Sequence, residues 1–239
     1  MDIPASEVYE ILKDKEVKGL YHANTVRTSK TFLEQGGILS RKRVEDLSLV
    51  QTPQKSDEID KKYNIWNDIF LDAINISKYF SNYNKYGPIL FLFSLDLLKN
   101  EKIKTVRITR KNPIYWNDED KTEDRYFASS EDFRSKFKSG NKLKDGGYHI
   151  IISTLDGFLT FEHLKGIQID NPNINFVDDN GKKKPIIDGI KEFFSEDLGK
   201  NGISDNKIVI KSNLGLMSQY QIMQKFRSDE FKRLFSRMR

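Results

Sequence analysis

The longest uninterrupted apolar run in this chain is the six residues Pro88 to Phe93, which follow a glycine in the stretch YGPILFLFS. A run of this length, bounded by turn and polar residues, is typical of a strand buried on both faces. It is far shorter than the roughly 20 apolar residues that cross a bilayer, and the N-terminus lacks the basic-then-apolar pattern of a secretory signal. We therefore expect a buried strand over Ile89 to Ser94 in a soluble, cytoplasmic protein.

The rest of the chain interleaves short strand patterns with short helix patterns. They follow no regular alternation, which favours an α+β fold over a doubly wound sheet. Strands are predicted at Val17 to His22 and at residues 103–110, 146–154 and 206–212. Helices are predicted at Ser6 to Lys13, Ser29 to Gln35 and Ser130 to Lys138, at residues 188–198, and in a basic segment at 224–239.

Charge and cysteine content limit the function classes. The chain has 239 residues and no cysteine, which excludes disulfides, thiolate zinc sites and a cysteine nucleophile. Its net charge of +5 and pI near 9.1 permit nucleic-acid binding without requiring it. The terminal segment QKFRSDEFKRLFSRMR concentrates basic and aromatic residues. It is either a surface helix with one apolar stripe or a basic helix that docks on nucleic acid or a partner.

The common catalytic motifs are missing from the sequence. The sequence has no phosphate-binding loop, dinucleotide fingerprint, HExxH or GxSxG pattern. It therefore lacks the usual motifs of NTPases, dehydrogenases, zinc proteases and α/β-hydrolases. One segment is rich in carboxylates, which could bind a metal ion, so a metal-dependent nuclease is an alternative function. Such acidic clusters more often form a solvent-exposed surface. These acidic residues are Asp57, Glu58, Asp60, Asp68 and Asp72.

The stretch GLYHANTVRTSKTFLEQGGILS combines a strand ending at His22, a following helix and a Gly36-Gly37 stop. It resembles the first motif of the ADP-ribosyltransferase fold, in its DarT-like and poly-ADP-ribose-polymerase-like branches. The resemblance continues more weakly through YGPILFLFSLDLL and YHIIISTLDGFLTFEHLKGIQID. It implies a split mixed or antiparallel sheet with short helices over residues 1–170. A C-terminal α/β extension over 171–239 then ends in the basic helix, as a separate unit or as part of the same domain.

The resemblance implies NAD as the substrate, with no metal. A strand-end histidine can hydrogen-bond a ribose hydroxyl without bringing a fixed charge, and an aromatic ring would stack on nicotinamide. The implied dinucleotide-binding residues are His22, Asn24, Thr25, Gly37 and one of Tyr63 and Tyr86.

The catalytic glutamate that the family carries on a late strand is missing. The matching strand reads GGYHIIIST, and its nearest position is His149. Either His149 replaces the glutamate, Asp156 or Glu162 supplies the acid, or the protein lacks full activity. Inactivity would make it a module that binds NAD or nucleic acid on the same fold.

The same branch implies transfer of ADP-ribose to a base of single-stranded DNA or RNA. Members commonly act as bacterial toxins or phage-defence effectors, which implies an antitoxin partner. The segment RITRKNPIYWNDED is the predicted substrate-facing loop, through Arg107, Arg110, Tyr115 and Trp116, although an ordinary surface hairpin has the same pattern.

Overall fold

The computed structural model describes residues 1–75, 83–137, 157–178 and 180–236, together with the backbone of 149–152. Strands and helices alternate irregularly in it. The strands are β1 (Ile3–Pro4), β2 (Leu20–Asn24), β3 (Gly37–Leu39), β4 (Ile69–Asp72), β5 (Ile89–Phe93), β6 (Thr105–Ile108), β7 (His149–Ile152), β8 (Phe158–Thr160), β9 (Leu164–Asp170), β10 (Asn175–Val177), β11 (Lys183–Pro185) and β12 (Ile208–Lys211). The helices are α1 (Ala5–Asp14), α2 (Val26–Gln35), α3 (Arg41–Asp46), α4 (Asp57–Lys62), α5 (Thr122–Arg125), α6 (Ser130–Lys136), α7 (Ile186–Lys200), α8 (Leu214–Phe226) and α9 (Ser228–Phe235).

Eight strands form the central sheet in the order β1-β6-β7-β4-β2-β5-β9-β12. All neighbouring pairs are antiparallel except β9 and β12, which are parallel. Two further sheets have two strands each, β3 with β8 and β10 with β11. The architecture is the predicted α+β fold with a mixed sheet.

Strand β5 is the buried strand that the apolar run predicts. It lies between β2 and β9 in the sheet, and Ile89, Phe91 and Phe93 are fully buried. Ser94 is not part of the strand, because its hydroxyl caps the 3-10 turn Leu95–Lys99 by accepting a hydrogen bond from the Asp96 amide. The Phe91 ring also stacks on Phe161, with 5.7 Å between the ring centroids.

The turn from β2 into α2 corrects one predicted boundary. The helix begins at Val26, three residues before the predicted Ser29, because the Thr25 hydroxyl accepts a hydrogen bond from the Thr28 amide and caps it. It ends at Gly36, which has the left-handed φ of 76°. A Cβ on Gly37 would lie 2.4 Å from the Leu159 carbonyl oxygen, so glycine lets β3 approach β8 closely.

The basic C-terminal segment contains the end of α8 and all of α9, where a single helix over residues 224–239 was predicted. Helix α8 ends at Phe226, and Arg227 has φ −143° and ψ 53°, which breaks the helical path before α9. Phe231, Leu234 and Phe235 of α9 are buried. The apolar stripe of α9 therefore packs on the rest of the protein.

The C-terminal residues share the central sheet with the rest of the chain. Strand β12 pairs with β9, with Ile208 opposite Ile167. Helix α7 packs on α2 through an ion pair between Asp197 and Lys30 and through the Asn201 amide, which donates to the Leu33 carbonyl at 2.7 Å. A domain boundary at residue 170 stays a prediction. Among the described residues, no helix combines the length and apolar character needed to span a bilayer.

Candidate functional site

A cleft opens beside β2 and β4, and about 800 Å³ of space lies within it and its mouth. Its apolar lining is Tyr21, Ala23, Phe32, Leu39, Ile69, Phe70 and Pro113. Its polar lining is His22, Asn24, Arg41, Gln54, Ser56, Asp60, Asp68, Asp72, Tyr86 and Asn112. We refer to it as the cleft.

His22 is held as a neutral imidazole with a defined tautomer. Its Nδ1 lies 2.9 Å from the Phe70 carbonyl oxygen on the neighbouring strand. Because a carbonyl only accepts hydrogen bonds, Nδ1 carries the proton and Nε2 keeps its lone pair. Burial lowers the pKa of His22, although the Phe70 hydrogen bond and Asp72 act in the opposite direction. The ring is therefore an uncharged acceptor at neutral pH.

Asn24 fixes the end of β2 next to this imidazole. Its Oδ1 accepts from the Thr25 amide at 2.9 Å, and its Nδ2 lies 3.5 Å from His22 Nε2. Both side chains line the cleft. The structure thus brings together two of the residues that the sequence predicts for dinucleotide binding.

Thr25 and Gly37 contact other parts of the protein. Thr25 is fully buried, and its hydroxyl caps α2 and donates to the Thr52 hydroxyl at 2.8 Å. Gly37 packs against β8, as described above. Direct contact of either residue with a ligand stays a prediction.

The structure separates the two tyrosines proposed for nicotinamide. Tyr86 lines the cleft; burial raises the pKa of its hydroxyl, while a hydrogen bond with the Asn112 side chain opposes that rise. Tyr63 packs elsewhere, with its ring centroid 5.5 Å from that of Trp116 and 4.4 Å from the Arg125 guanidinium. Of Tyr63 and Tyr86, Tyr86 is the one that shares the cleft with His22.

Three aspartates give the cleft its acidic character. Asp60 comes from α4, Asp68 precedes β4 and Asp72 ends it. Asp68 forms an ion pair with Arg107. The other two members of the acidic segment lie differently, since Asp57 pairs with Arg41 at 2.6 Å and Glu58 is exposed. In the described part of the chain, no three His, Asp or Glu side chains are grouped as metal ligands would be.

Arg41 is a cleft residue that no sequence pattern predicted. It is the first residue of α3, directly after the Ser40 cap. Its guanidinium donates to the Thr52 carbonyl at 3.0 Å and lies 5.5 Å from the Trp66 ring centroid. The sequence feature that could have indicated Arg41 is a basic residue directly after Ser40, the helix cap that follows the Gly36-Gly37 pair.

The predicted substrate-facing loop has one open aromatic face. Arg107 is paired with Asp68, and Arg110 is paired with Asp132. Trp116 is 7% exposed, whereas Tyr115 is 65% exposed and sits in the same 3-10 turn as the cleft residue Pro113. Tyr115 therefore stands near the cleft with its ring available to a ligand.

Of the three candidates for the catalytic position, the structure describes the side-chain surroundings of Glu162 and the backbone position of His149. Glu162 is exposed in the turn Phe161–His163, where it accepts from Asn100 Nδ2 at 3.3 Å, and it does not line the cleft. His149 begins β7 and is paired in register with the cleft residue Asp72. Asp156 lies outside the described residues.

Comparison with known proteins identifies the fold. No family model matches the chain, and no curated protein matches its sequence. The structure of Thermus sp. 2.9 DarT in complex with ADP-ribosylated ssDNA matches 82% of this chain and 95% of that chain, with a TM-score of 0.50 and 9% sequence identity. The same DarT in complex with carba-NAD+ matches with a TM-score of 0.46 and 9% identity, over 84% of this chain and 98% of that one. At this identity the likeness concerns the fold alone: the chain has the predicted DarT-like α+β fold.

Proposed function

We propose that this protein is an NAD-dependent ADP-ribosyltransferase whose cleft binds the nicotinamide-ribose end of NAD. The observation that carries the proposal is the neutral His22, fixed by Phe70, in an acidic cleft beside Tyr86. The ADP-ribosylated ssDNA bound to the Thermus DarT, which shares the fold, agrees with this chemistry.

The charge of the cleft matches the charge of the reaction. When the bond between ribose C1′ and the nicotinamide nitrogen breaks, its electron pair goes to that nitrogen and positive charge develops on the ribose. Carboxylates already placed around that ribose stabilise the charge without reorganising. Asp60 and Asp72 are suitably placed groups of this chain, and His22 Nε2 can accept a hydrogen bond from a ribose hydroxyl.

The acceptor in this proposal is a base of single-stranded DNA or RNA. Its nucleophilic atom bonds to C1′ and gives its proton to a cleft carboxylate or to water. Tyr115 offers an exposed ring near the cleft, and aromatic rings are the usual platforms for unpaired bases. The positive net charge supports attraction of a nucleic acid.

Incubation with NAD labelled on its adenylate tests the proposal. Separate pools of DNA, RNA and cell protein are offered, and both nicotinamide release and the label are followed. Label on a nucleic acid supports the transferase, and label on protein alone overturns the acceptor. NAD binding without nicotinamide release supports an inactive binding module, which the sequence His-Ile-Ile-Ile of β7 favours because no glutamate is there.

A toxin role follows if the acceptor is the cell's own nucleic acid. Modified bases would block copying of the strand, and a host would need an antitoxin or a defence trigger to hold the activity in check. Induced expression in a bacterial host tests this role. Growth arrest by the wild type and not by a His22→Ala variant supports it.

A further inference from the structure

Helix α9 reaches two loops that line the cleft, through a single side chain. Arg233 Nη1 donates to Gln54 Oε1 at 3.0 Å, and Arg233 Nη2 donates to the Lys85 carbonyl at 2.7 Å. Gln54 lines the cleft, and Lys85 directly precedes the cleft residue Tyr86. One guanidinium therefore joins the segment before α4 to the segment before β5.

The contacts of Gln54 extend this link to two further cleft residues, Tyr86 and Arg41. Its Nε2 donates to the Tyr86 carbonyl at 3.2 Å, so its side chain bridges Arg233 and the Tyr86 backbone. Its own amide donates to Asp57 Oδ2 at 2.9 Å, and the same carboxylate oxygen pairs with Arg41. Tyr86 and Arg41 thus belong to one hydrogen-bonded network that ends on α9.

Arg233 is itself held in place from within its helix. Its Nε and Nη2 donate to the two carboxylate oxygens of Glu230, at 3.0 and 2.9 Å. This interaction with Arg233 lowers the pKa of Glu230. A fixed planar fork is what a bridge to two further acceptors needs, and a lysine cannot supply it.

Helix α9 is also held in place by apolar side chains. Leu234 is fully buried and Phe231 and Phe235 nearly so, and the Phe235 ring meets Tyr220 edge-on at 5.0 Å. These apolar contacts dock the helix. Removing the guanidinium should free the two loops while the helix stays packed.

We propose that Arg233 is a positioning residue that sets Tyr86 and Gln54 for NAD, which makes the C-terminal helix part of the site. The ligand in this inference rests on the proposed function, whereas the ordering of the loops does not. Loops held before the ligand arrives lose less conformational entropy on binding, so the ligand binds more tightly.

The experiment compares Arg233→Ala and Arg233→Lys with Arg227→Ala in the full chain. Arg227 is the matched control, since it is an exposed arginine that begins the same helical segment and reaches only the Tyr83 hydroxyl, at 3.4 Å, among its described hydrogen bonds to side chains. Equilibrium binding of labelled NAD, the KM and kcat of nicotinamide release, thermal unfolding, and hydrogen exchange at Gln54 and Tyr86 are measured.

We expect both Arg233 variants to weaken NAD binding by roughly tenfold or more, raising KM more than they lower kcat. Exchange at the two amides should rise without NAD, while the Arg227 control stays like wild type. Unchanged exchange in Arg233→Ala overturns the inference, as does an equal loss of NAD binding in the control. If wild type binds no NAD while exchange still rises, the proposed function fails and the loop-positioning role stands.

Discussion

His22 illustrates how one backbone contact defines the chemistry of a side chain. The Phe70 carbonyl occupies Nδ1, and burial keeps the ring neutral by lowering its pKa. We expect His22→Ala to weaken NAD binding by about tenfold, because one hydrogen bond to the ligand and its packing are lost. Equilibrium binding measures this, with His163→Ala as the control, since His163 lies in the turn Phe161–His163 outside the cleft. Equal binding in wild type and His22→Ala would contradict the role.

The lowered pKa of His22 gives a pH prediction. A histidine with its ordinary pKa of 6.5 would be half protonated at that pH. Because the pKa of His22 lies below this value, the loss of NAD affinity on protonation of Nε2 should be centred below pH 6.5 in a titration from pH 8 to pH 5. A titration of NAD affinity over this range checks it. A decline centred near pH 6.5 that disappears in His22→Ala would count against the neutral ring.

The position of the carboxylates in the cleft predicts which acidic side chain supports release of nicotinamide from NAD. We expect Asp72→Asn to lower kcat for nicotinamide release by roughly a hundredfold, because a neutral amide no longer stabilises charge on the ribose. Glu162→Gln is the matched comparison, since Glu162 is exposed and outside the cleft. Steady-state assays with NAD and the accepting nucleic acid separate the two. The reverse result, loss in Glu162→Gln alone, would assign the catalytic acid to Glu162.

At the scale of elements, Thr25 caps helix α2, and a substitution there can distinguish this structural role from direct contact with a ligand. Thr25 is fully buried, and its hydroxyl accepts a hydrogen bond from the Thr28 amide. We expect Thr25→Ala to lower the free energy of unfolding by about 1 kcal/mol, and Thr25→Ser to retain most of it. Urea unfolding measures both variants. A weaker NAD affinity without any loss of stability would instead support direct contact with the ligand.

Elements were predictable where one local pattern dominated. The continuous apolar run located β5, and the Gly-Gly pair located the end of α2, since both signals depend on neighbouring residues only. The split of the basic segment into α8 and α9 was missed, because Arg227 has no turn chemistry that marks a break. Tertiary packing of Leu234 and Phe235 decides where α9 lies.

At the scale of the whole molecule, Asp170 and Tyr220 couple the end of β9 to α8. Tyr220 donates to Asp170 Oδ2 at 3.0 Å, Gln168 contacts Oδ1, and burial raises the pKa of Asp170 to about 6. An acid with a raised pKa in the folded state stabilises that state when it is protonated, so stability is lost as pH rises from about 4 to about 6. The shift corresponds to about 3 kcal/mol.

Urea unfolding at pH 4.5 and pH 7.5 tests this coupling in wild type and Asp170→Asn. The loss of stability between the two pH values should be smaller in the variant, because its amide does not titrate. Other groups titrate equally in both proteins and cancel in the comparison. Identical pH profiles would show that Asp170 does not have a raised pKa.

The composition of the cleft shows what a sequence cannot reveal at this scale. His22 and Tyr86 were predicted from a strand end and from residue type, and both line the cleft. Arg41, Gln54 and Asn112 were not, because they lie in separate segments of the chain that only the tertiary fold brings together. The periodicity of neighbouring residues carries no information about which distant residues come together in the fold.

The hydrogen bond between His22 and Phe70 also determines which chemical groups of a ligand His22 can bind. With one ring nitrogen occupied, the remaining nitrogen offers only a lone pair. A sugar hydroxyl has a hydrogen to share with it, whereas an ether or carbonyl oxygen at the same place would repel it. If a sugar binds at Nε2 as proposed, His22 will discriminate between ligands of equal shape by the presence of a single hydrogen atom.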